Sequence, residues 1–447
     1  MSDPVPENLG ETPVVATKPF GLFRWTDRAI RGLFDQAMFS GSMFALNILL
    51  ARWTGPDEYG SFAVLFAIFL ILAGIHNALI IEPMTIYGSR KSGTELSVYL
   101  AHVYVLHLVV VCAIAAVAIV IAAMISDPDL SRAKWALPFT IPLALSYWVV
   151  RRSCYVTERS GGALALSSLY AFFVISGTIA LKWTDLLSSY TALLLFGVSG
   201  FMVSIFPMLR ALLEGGWRIA SAATKSARQH WRYGRWAIAE SLTFALGTGI
   251  FPLLIAYFGT VSQAGEVRAL QLIFLPLTHF LIGAGLLALP WLARSRVTVD
   301  AIEFSRRSRL LIAIFGAAAI CYVVPVLGWR HFAVQFLYDN DNYQAGIWMM
   351  PYLGFVAILT AMAAALMIIL RALERPDLVF WSTAATFAVT LAVGTWLISG
   401  FGLTGLVLAL VLNGSASLIA LACLARSTLR PVPVAAKTEV LGERANA

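Results

Sequence analysis

The chain has 447 residues, of which 59% are hydrophobic and 13% charged, with a formal net charge of +8 and a mean hydropathy of +0.80. So few charges cannot cover a soluble domain of this size, which excludes a soluble globular enzyme and points to a protein solvated by lipid. The excess of positive charge follows membrane topology, as shown below, and does not call for a nucleic-acid partner.

Residues 1–28 hold four prolines and no apolar core, so they read as a cytoplasmic tail and not as a signal peptide. Apolar runs bounded by charges, Gly or Pro follow at 32–54, 60–87, 98–125, 135–154, 162–182 and 187–210. A second set lies at 236–258, 267–292, 309–328, 345–370, 378–399 and 403–425. Each is near the roughly 20 residues that cross a bilayer as a helix. The segment 211–235 carries Trp217, Ile219, Trp231 and Tyr233 among basic residues and predicts an amphipathic linker in the membrane interface. The expected organisation is a tail (1–28), a six-helix lobe (29–213), a linker (214–233), a second six-helix lobe (234–426) and a tail (427–447). The fold class is all-α and polytopic, with about twelve transmembrane helices.

Basic residues test the topology. With the N-terminus inside, the outer segments hold Arg52, Arg132, Lys134, Lys182, Arg268 and Arg330, and the other 26 of the 32 Lys and Arg fall inside. That asymmetry places both termini in the cytoplasm.

The two sets of six suggest duplication. A shift of 205 residues superposes Asp35 on Glu240, Phe39 on Phe244, Ala51 on Ala256 and Gly60 on Gly265. A second echo relates Arg152 with Glu158-Arg159 to Arg371 with Glu374-Arg375. Lobes with an even number of spans enter the membrane the same way, so they are parallel repeats about a pseudo-two-fold axis along the membrane normal. Two such bundles enclose a central cavity.

The stretch from Asp35 to Gly41, then Leu49-Leu50-Ala51-Arg52-Trp53 and Gly55-Pro56-Asp57-Glu58-Tyr59-Gly60, resembles the first two helices of the polysaccharide-type flippases. These belong to the multidrug/oligosaccharidyl-lipid/polysaccharide exporter superfamily. Glu82-Pro83-Met84 and the turn from Arg371 to Pro376 resemble the same family. The resemblance implies a bacterial inner-membrane transporter that moves an undecaprenyl-diphosphate-linked oligosaccharide from the cytoplasmic to the periplasmic leaflet. Its implied partners are that lipid-linked glycan, membrane lipids and glycan-assembly proteins. A cation-coupled multidrug antiporter of the same superfamily is the runner-up. A membrane-embedded glycan polymerase or ligase fits less well, because the largest outer loop, 329–344, is short.

An ionisable residue at membrane depth costs about 2.5–3.5 kcal/mol, so each invites a functional reading. Asp35 and Glu240 read either as a cation-coupling or gating pair or as carboxylates at helix N-termini. Arg52 reads as a substrate contact or as a partner of Asp57 or Glu58. Arg151, Arg152 and Arg268 offer guanidinium forks for a diphosphate, against plain positive-inside charge or snorkelling. Glu82 reads as a helix break or a partner of Arg90. His102 and His107, five residues apart, do not share a helix face, and no metal site is expected. Asp339-Asn340-Asp341-Asn342 is a turn lacking the glycine and terminal glutamate of a calcium loop. Cys112, Cys154, Cys321 and Cys423 read as packing residues. No nucleotide or nucleophile motif stands out, so neither an enzyme nor a cofactor is expected.

Overall fold

The computed structural model describes residues 22–215, 218–339 and 341–429. The described residues form helices joined by short turns, with no strand among them. The first lobe contains α1 (Leu22–Thr54), α2 (Pro56–His76), α3 (Glu82–Gly88), α4 (Gly93–Met124), α5 (Leu137–Val156), α6 (Ser160–Trp183) and α7 (Ser189–Gly215). A π-helical turn, Asn77–Ile81, joins α2 to α3. The second lobe contains α8 (Arg218–Phe258), α9 (Val261–Leu272), α10 (Leu275–Thr298), α11 (Ala301–Gly328), α12 (Arg330–Tyr338), α13 (Met350–Ala372), α14 (Pro376–Val389) and α15 (Thr395–Leu429).

Nine helical stretches among the described residues are long and apolar enough to cross a membrane. One of them, Asp377–Thr428, has 52 residues. It is bent at Gly402 (φ 56°, ψ −130°), a backbone conformation that glycine adopts without penalty. The bend separates the two runs expected at 378–399 and 403–425. The run expected at 267–292 is likewise divided. Helix α9 begins at Val261, where Thr260 and Gln263 form a reciprocal cap, and the chain breaks after Leu272, just before Pro276. The segment read as an interfacial linker forms no separate helix. Its described part is the end of α7 and the beginning of α8, and Gly234 packs against Ala78 and Leu79.

In the first lobe α1 packs on α6, and α5 lies between α4 and α7. In the second, α13 packs on α11, α10 and α15. Helix α2 crosses between them and rests on α8 and α9. Large apolar side chains such as Val109, Phe172, Phe206, Leu310 and Trp381 face outward, as lipid solvation allows. We call the face with Arg52, Gly60 and Gly265 the upper face, and the face with Asp35 and Arg151 the lower.

The second sequence echo has a common geometry. Glu158 (φ 58°) and Glu374 (φ 59°) are both left-handed. The next amide donates five residues back in each case: Arg159 N–H to Cys154 O at 2.7 Å and Arg375 N–H to Leu370 O at 2.9 Å. This is the Schellman end of a helix, built twice with glutamate where glycine is usual.

Candidate functional site: a cavity between two lobes

A cavity of about 430 Å³ opens where α2 and α5 of the first lobe face α8, α9 and α15 of the second. Small residues of α2, among them Ala63, Ala67 and Gly74, keep its wall thin. Trp148 and Phe251 give it aromatic surface, and Asn77, Ser241 and Gln271 are its neutral polar groups. Arg268 is its one charged lining residue among those described. The guanidinium also interacts with the Tyr59 hydroxyl, which donates to Asn47 Oδ1 at 3.0 Å. The cavity is therefore amphipathic, with a cation and no carboxylate on its described walls. Such a site suits an anion carried on an apolar or glycosidic body.

The upper face is sealed by glycine. A Cβ placed on Gly60 would lie 2.0 Å from Val261 O, and one on Gly265 would lie 2.2 Å from Pro56 O and 2.6 Å from Gly60 N. The glycines matched by the 205-residue shift thus meet each other across the two lobes. Around them, Arg52 donates to Asp339 Oδ2 at 2.8 Å and to Phe336 O at 3.2 Å. Tyr343 donates to Ala51 O at 3.1 Å. The expected partners of Arg52 were its neighbours Asp57 and Glu58, but the structure assigns Glu58 to the Ser189 amide at 2.7 Å. Arg52 instead ties the end of α1 to the turn after α12, bridging the two lobes.

On the lower face Asp35 lies more than three turns into α1, which rules out the helix-capping role for it. The carboxylate is wholly buried. It accepts from Arg151 Nε at 3.0 Å and Nη2 at 2.6 Å, and also from the hydroxyls of Tyr155 and Ser167. Arg151 additionally stacks over Phe39 and donates to Gln36 Oε1 at 3.1 Å. Asp35, expected as a coupling residue, and Arg151, expected as a headgroup ligand, are therefore each other's partners within the first lobe. Arg152, its sequence neighbour, is exposed. Glu240 falls in α8, and its side chain lies outside the described residues. Glu82 accepts from Asn77 Nδ2 at 2.7 Å and from Tyr233 OH at 3.4 Å, which ties it to α8.

Sequence spacing missed a buried pair. His107 does not pair with His102; it meets His76 of α2, with Nδ1 2.9 Å from His76 Nε2, and its other nitrogen lies 3.1 Å from Ser146 Oγ. A further inter-lobe contact joins Tyr99 OH to His230 Nε2 at 2.9 Å, while His230 Nδ1 lies 2.9 Å from Leu79 O.

No curated protein matches the chain in sequence. Among solved structures, an inward-facing multidrug resistance MATE family transporter of the MOP superfamily is similar at a TM-score of 0.76 and 12% identity, covering 90% of this chain and 98% of that one. The lipid II flippase MurJ, in an inward closed conformation, is similar at 0.68 and 14% identity, covering 89% of this chain and 86% of that one. A MOP superfamily transporter from Pyrococcus furiosus, described as having a binding pocket of reverse polarity, is similar at 0.64 and 12% identity over 92% and 96%. These likenesses establish the fold. The model of one family, described as "Polysaccharide biosynthesis protein", matches residues 49–316, which is more than half of the sequence and includes the upper seal and Arg268. The chain is a multi-pass membrane protein that belongs to this polysaccharide biosynthesis family and has the fold of the MOP-superfamily transporters.

Proposed function

We propose that the protein flips an undecaprenyl-diphosphate-linked oligosaccharide from the cytoplasmic to the periplasmic leaflet of a bacterial inner membrane, by alternating access of the central cavity. The observation that carries this reading is the charge of the cavity. Arg268 supplies a fork for a diphosphate, and the described walls carry no carboxylate that would hold a lipophilic cation. The family match supports the same reading. With the upper glycine seal closed, the cavity is accessible only to substrate arriving by another route. Twelve spans, cytoplasmic termini and a lower face in the cytoplasm complete the proposal. Reporter fusions after residues 127, 262 and 340 are expected to read as periplasmic, and a cytoplasmic reading at any one breaks it.

The direct test is reconstitution with a fluorescent lipid-diphosphate oligosaccharide. Arg268→Gln is expected to lower the flipping rate about tenfold or more, the equivalent of one charge-assisted hydrogen bond of about 1.5–3 kcal/mol. Arg268→Lys should retain part of the rate, because it keeps the charge and loses the fork. Unchanged flipping by Arg268→Gln rejects the site. Efflux of a lipophilic cation by the wild type, without flipping, would establish the multidrug antiporter instead.

A further inference from the structure

The hydrogen bonds around His76 and His107 have a direction that can be derived. Ser146 Oγ lies 2.7 Å from Pro142 O and 3.1 Å from His107 Nε2. A carbonyl can only accept, so the single hydroxyl proton of Ser146 takes the shorter bond to Pro142. Ser146 Oγ is then an acceptor for His107, whose ring carries its proton on Nε2. His107 Nδ1 is bare and accepts from His76 Nε2–H at 2.9 Å. The remaining atom of the chain is His76 Nδ1. It is left with a lone pair, is wholly buried, and has no hydrogen-bond partner among the described residues. The opposite direction would strand a buried N–H donor at the same place, which costs more than a bare ring acceptor.

No other charge is placed to answer this nitrogen among the described groups. From α4 the facing group is His107, with Tyr104 turned to Ser153 at 2.7 Å. From α5 it is Ser146, with Tyr147 turned to Ser167 at 2.7 Å and Arg151 to Asp35 at 2.6 Å. On α7, Tyr190 stacks on Arg132 and Arg210 pairs with Glu214 at 2.7 Å, both at the helix ends. From α9, Arg268 stands beside Tyr59 and Tyr338, toward the upper seal. On α8, His230 is held by Tyr99 and Leu79, and Tyr233 reaches Glu82. His76 itself sits between cavity-lining Gly74 and Asn77, where α2 passes into its π-helical turn.

We propose that His76 and His107 form a binding site for one proton, received at His76 Nδ1. The added proton bonds to Nδ1, and the proton on His76 Nε2 then crosses to His107 Nδ1. His76 ends neutral with its proton on Nδ1, and His107 ends as the imidazolium, bonded to Ser146. One proton enters and one moves along an existing bond, so charge is passed from α2 to α4 and α5. The π-helical turn that follows His76 is the backbone element this charge would bias, since α2 has no other irregularity there.

The test is 15N NMR of the full chain, labelled at its six histidines and reconstituted in phosphatidylcholine bilayers, with assignments from His76→Asn and His107→Gln. At neutral pH both rings are expected to show pyridine-type Nδ1 and protonated Nε2. On acidification, His76 Nδ1 should gain a proton and the His107 ring should shift with the same midpoint. Ser146→Ala, a small change at a buried position, should weaken the Nε2–H preference of His107 while the helical circular dichroism stays unchanged. A His76 Nδ1–H tautomer at neutral pH overturns the proposal. So do two rings that titrate at separate midpoints, or a pair that keeps its tautomers until the helices unfold.

Discussion

Gly60→Val and Gly265→Val are expected to drive the upper face open. A Cβ at either position would meet backbone at 2.0 or 2.2 Å, and backbone cannot rotate away as a side chain can. Overpacking of a tight interface typically costs about 1–3 kcal/mol, and all of that cost falls on the closed state. An open state relieves it, so the ratio of open to closed should rise about ten- to hundredfold. The readout is a cavity-wall cysteine, Ala67→Cys, in a protein whose four native cysteines are replaced. Its labelling by an impermeant maleimide from outside intact cells should accelerate in both glycine variants. Gly41→Ala, whose Cβ would meet nothing within 4 Å, is the control and should label as the parent does. Equal labelling of the Gly60 variant and the parent would show that the seal does not hold the gate. Arg52→Ala should act in the same direction with a smaller effect, because its pair with Asp339 is 36% and 70% exposed and water screens it.

The second large effect is expected at Asp35. Removing one partner of a buried ion pair typically costs about 3–5 kcal/mol, because the other charge is left without an answer. Asp35→Asn and Arg151→Gln should therefore each lower the thermal stability of the purified protein strongly. The double variant should recover part of the loss, since neither charge is then stranded. Thermal unfolding followed by tryptophan fluorescence measures all three. A different outcome has a definite meaning. If Asp35→Asn keeps its stability but alters the response of flipping to an imposed proton or sodium gradient, the carboxylate belongs to ion coupling and its bond to Arg151 is one state of a switch.

What the sequence made legible follows from physics that is local or periodic. Apolar runs of bilayer length reappear as helices because hydrocarbon forces each backbone group to pair within its own segment. The 205-residue shift proved informative at Gly60 and Gly265, where close approach has a residue signature that composition does not mimic. Long-range partners were not legible. Arg52 has two acids within six residues, yet it bonds to Asp339, because helix α12 brings that turn over the end of α1. His76 and His107 sit on different helices, and spacing along one helix carries no information about their contact. Breaks were half legible. The bend at Gly402 falls where one expected run ended and the next began, but the run expected at 267–292 passed over Pro276, which marks the start of α10, because a proline within an apolar run reads equally as a kink in a single span.

The Asp35–Arg151 bond also bears on how the chain is made. Helix α5 spans Leu137–Val156, contains Arg151 and Arg152, and is absent from the stretches that are apolar enough to cross unaided. A guanidinium that reaches hydrocarbon without a partner costs about 2.5–3.5 kcal/mol on insertion scales. Its partner was synthesised 116 residues earlier, on α1. The hydroxyl of Ser167, which completes the site, emerges from the ribosome later, on α6. Partitioning of α5 into lipid is therefore expected to wait on α1 being held nearby during synthesis, so that a nascent chain carrying Asp35→Ala would lose the later helix at the insertion machinery, before any folded protein exists to be unstable.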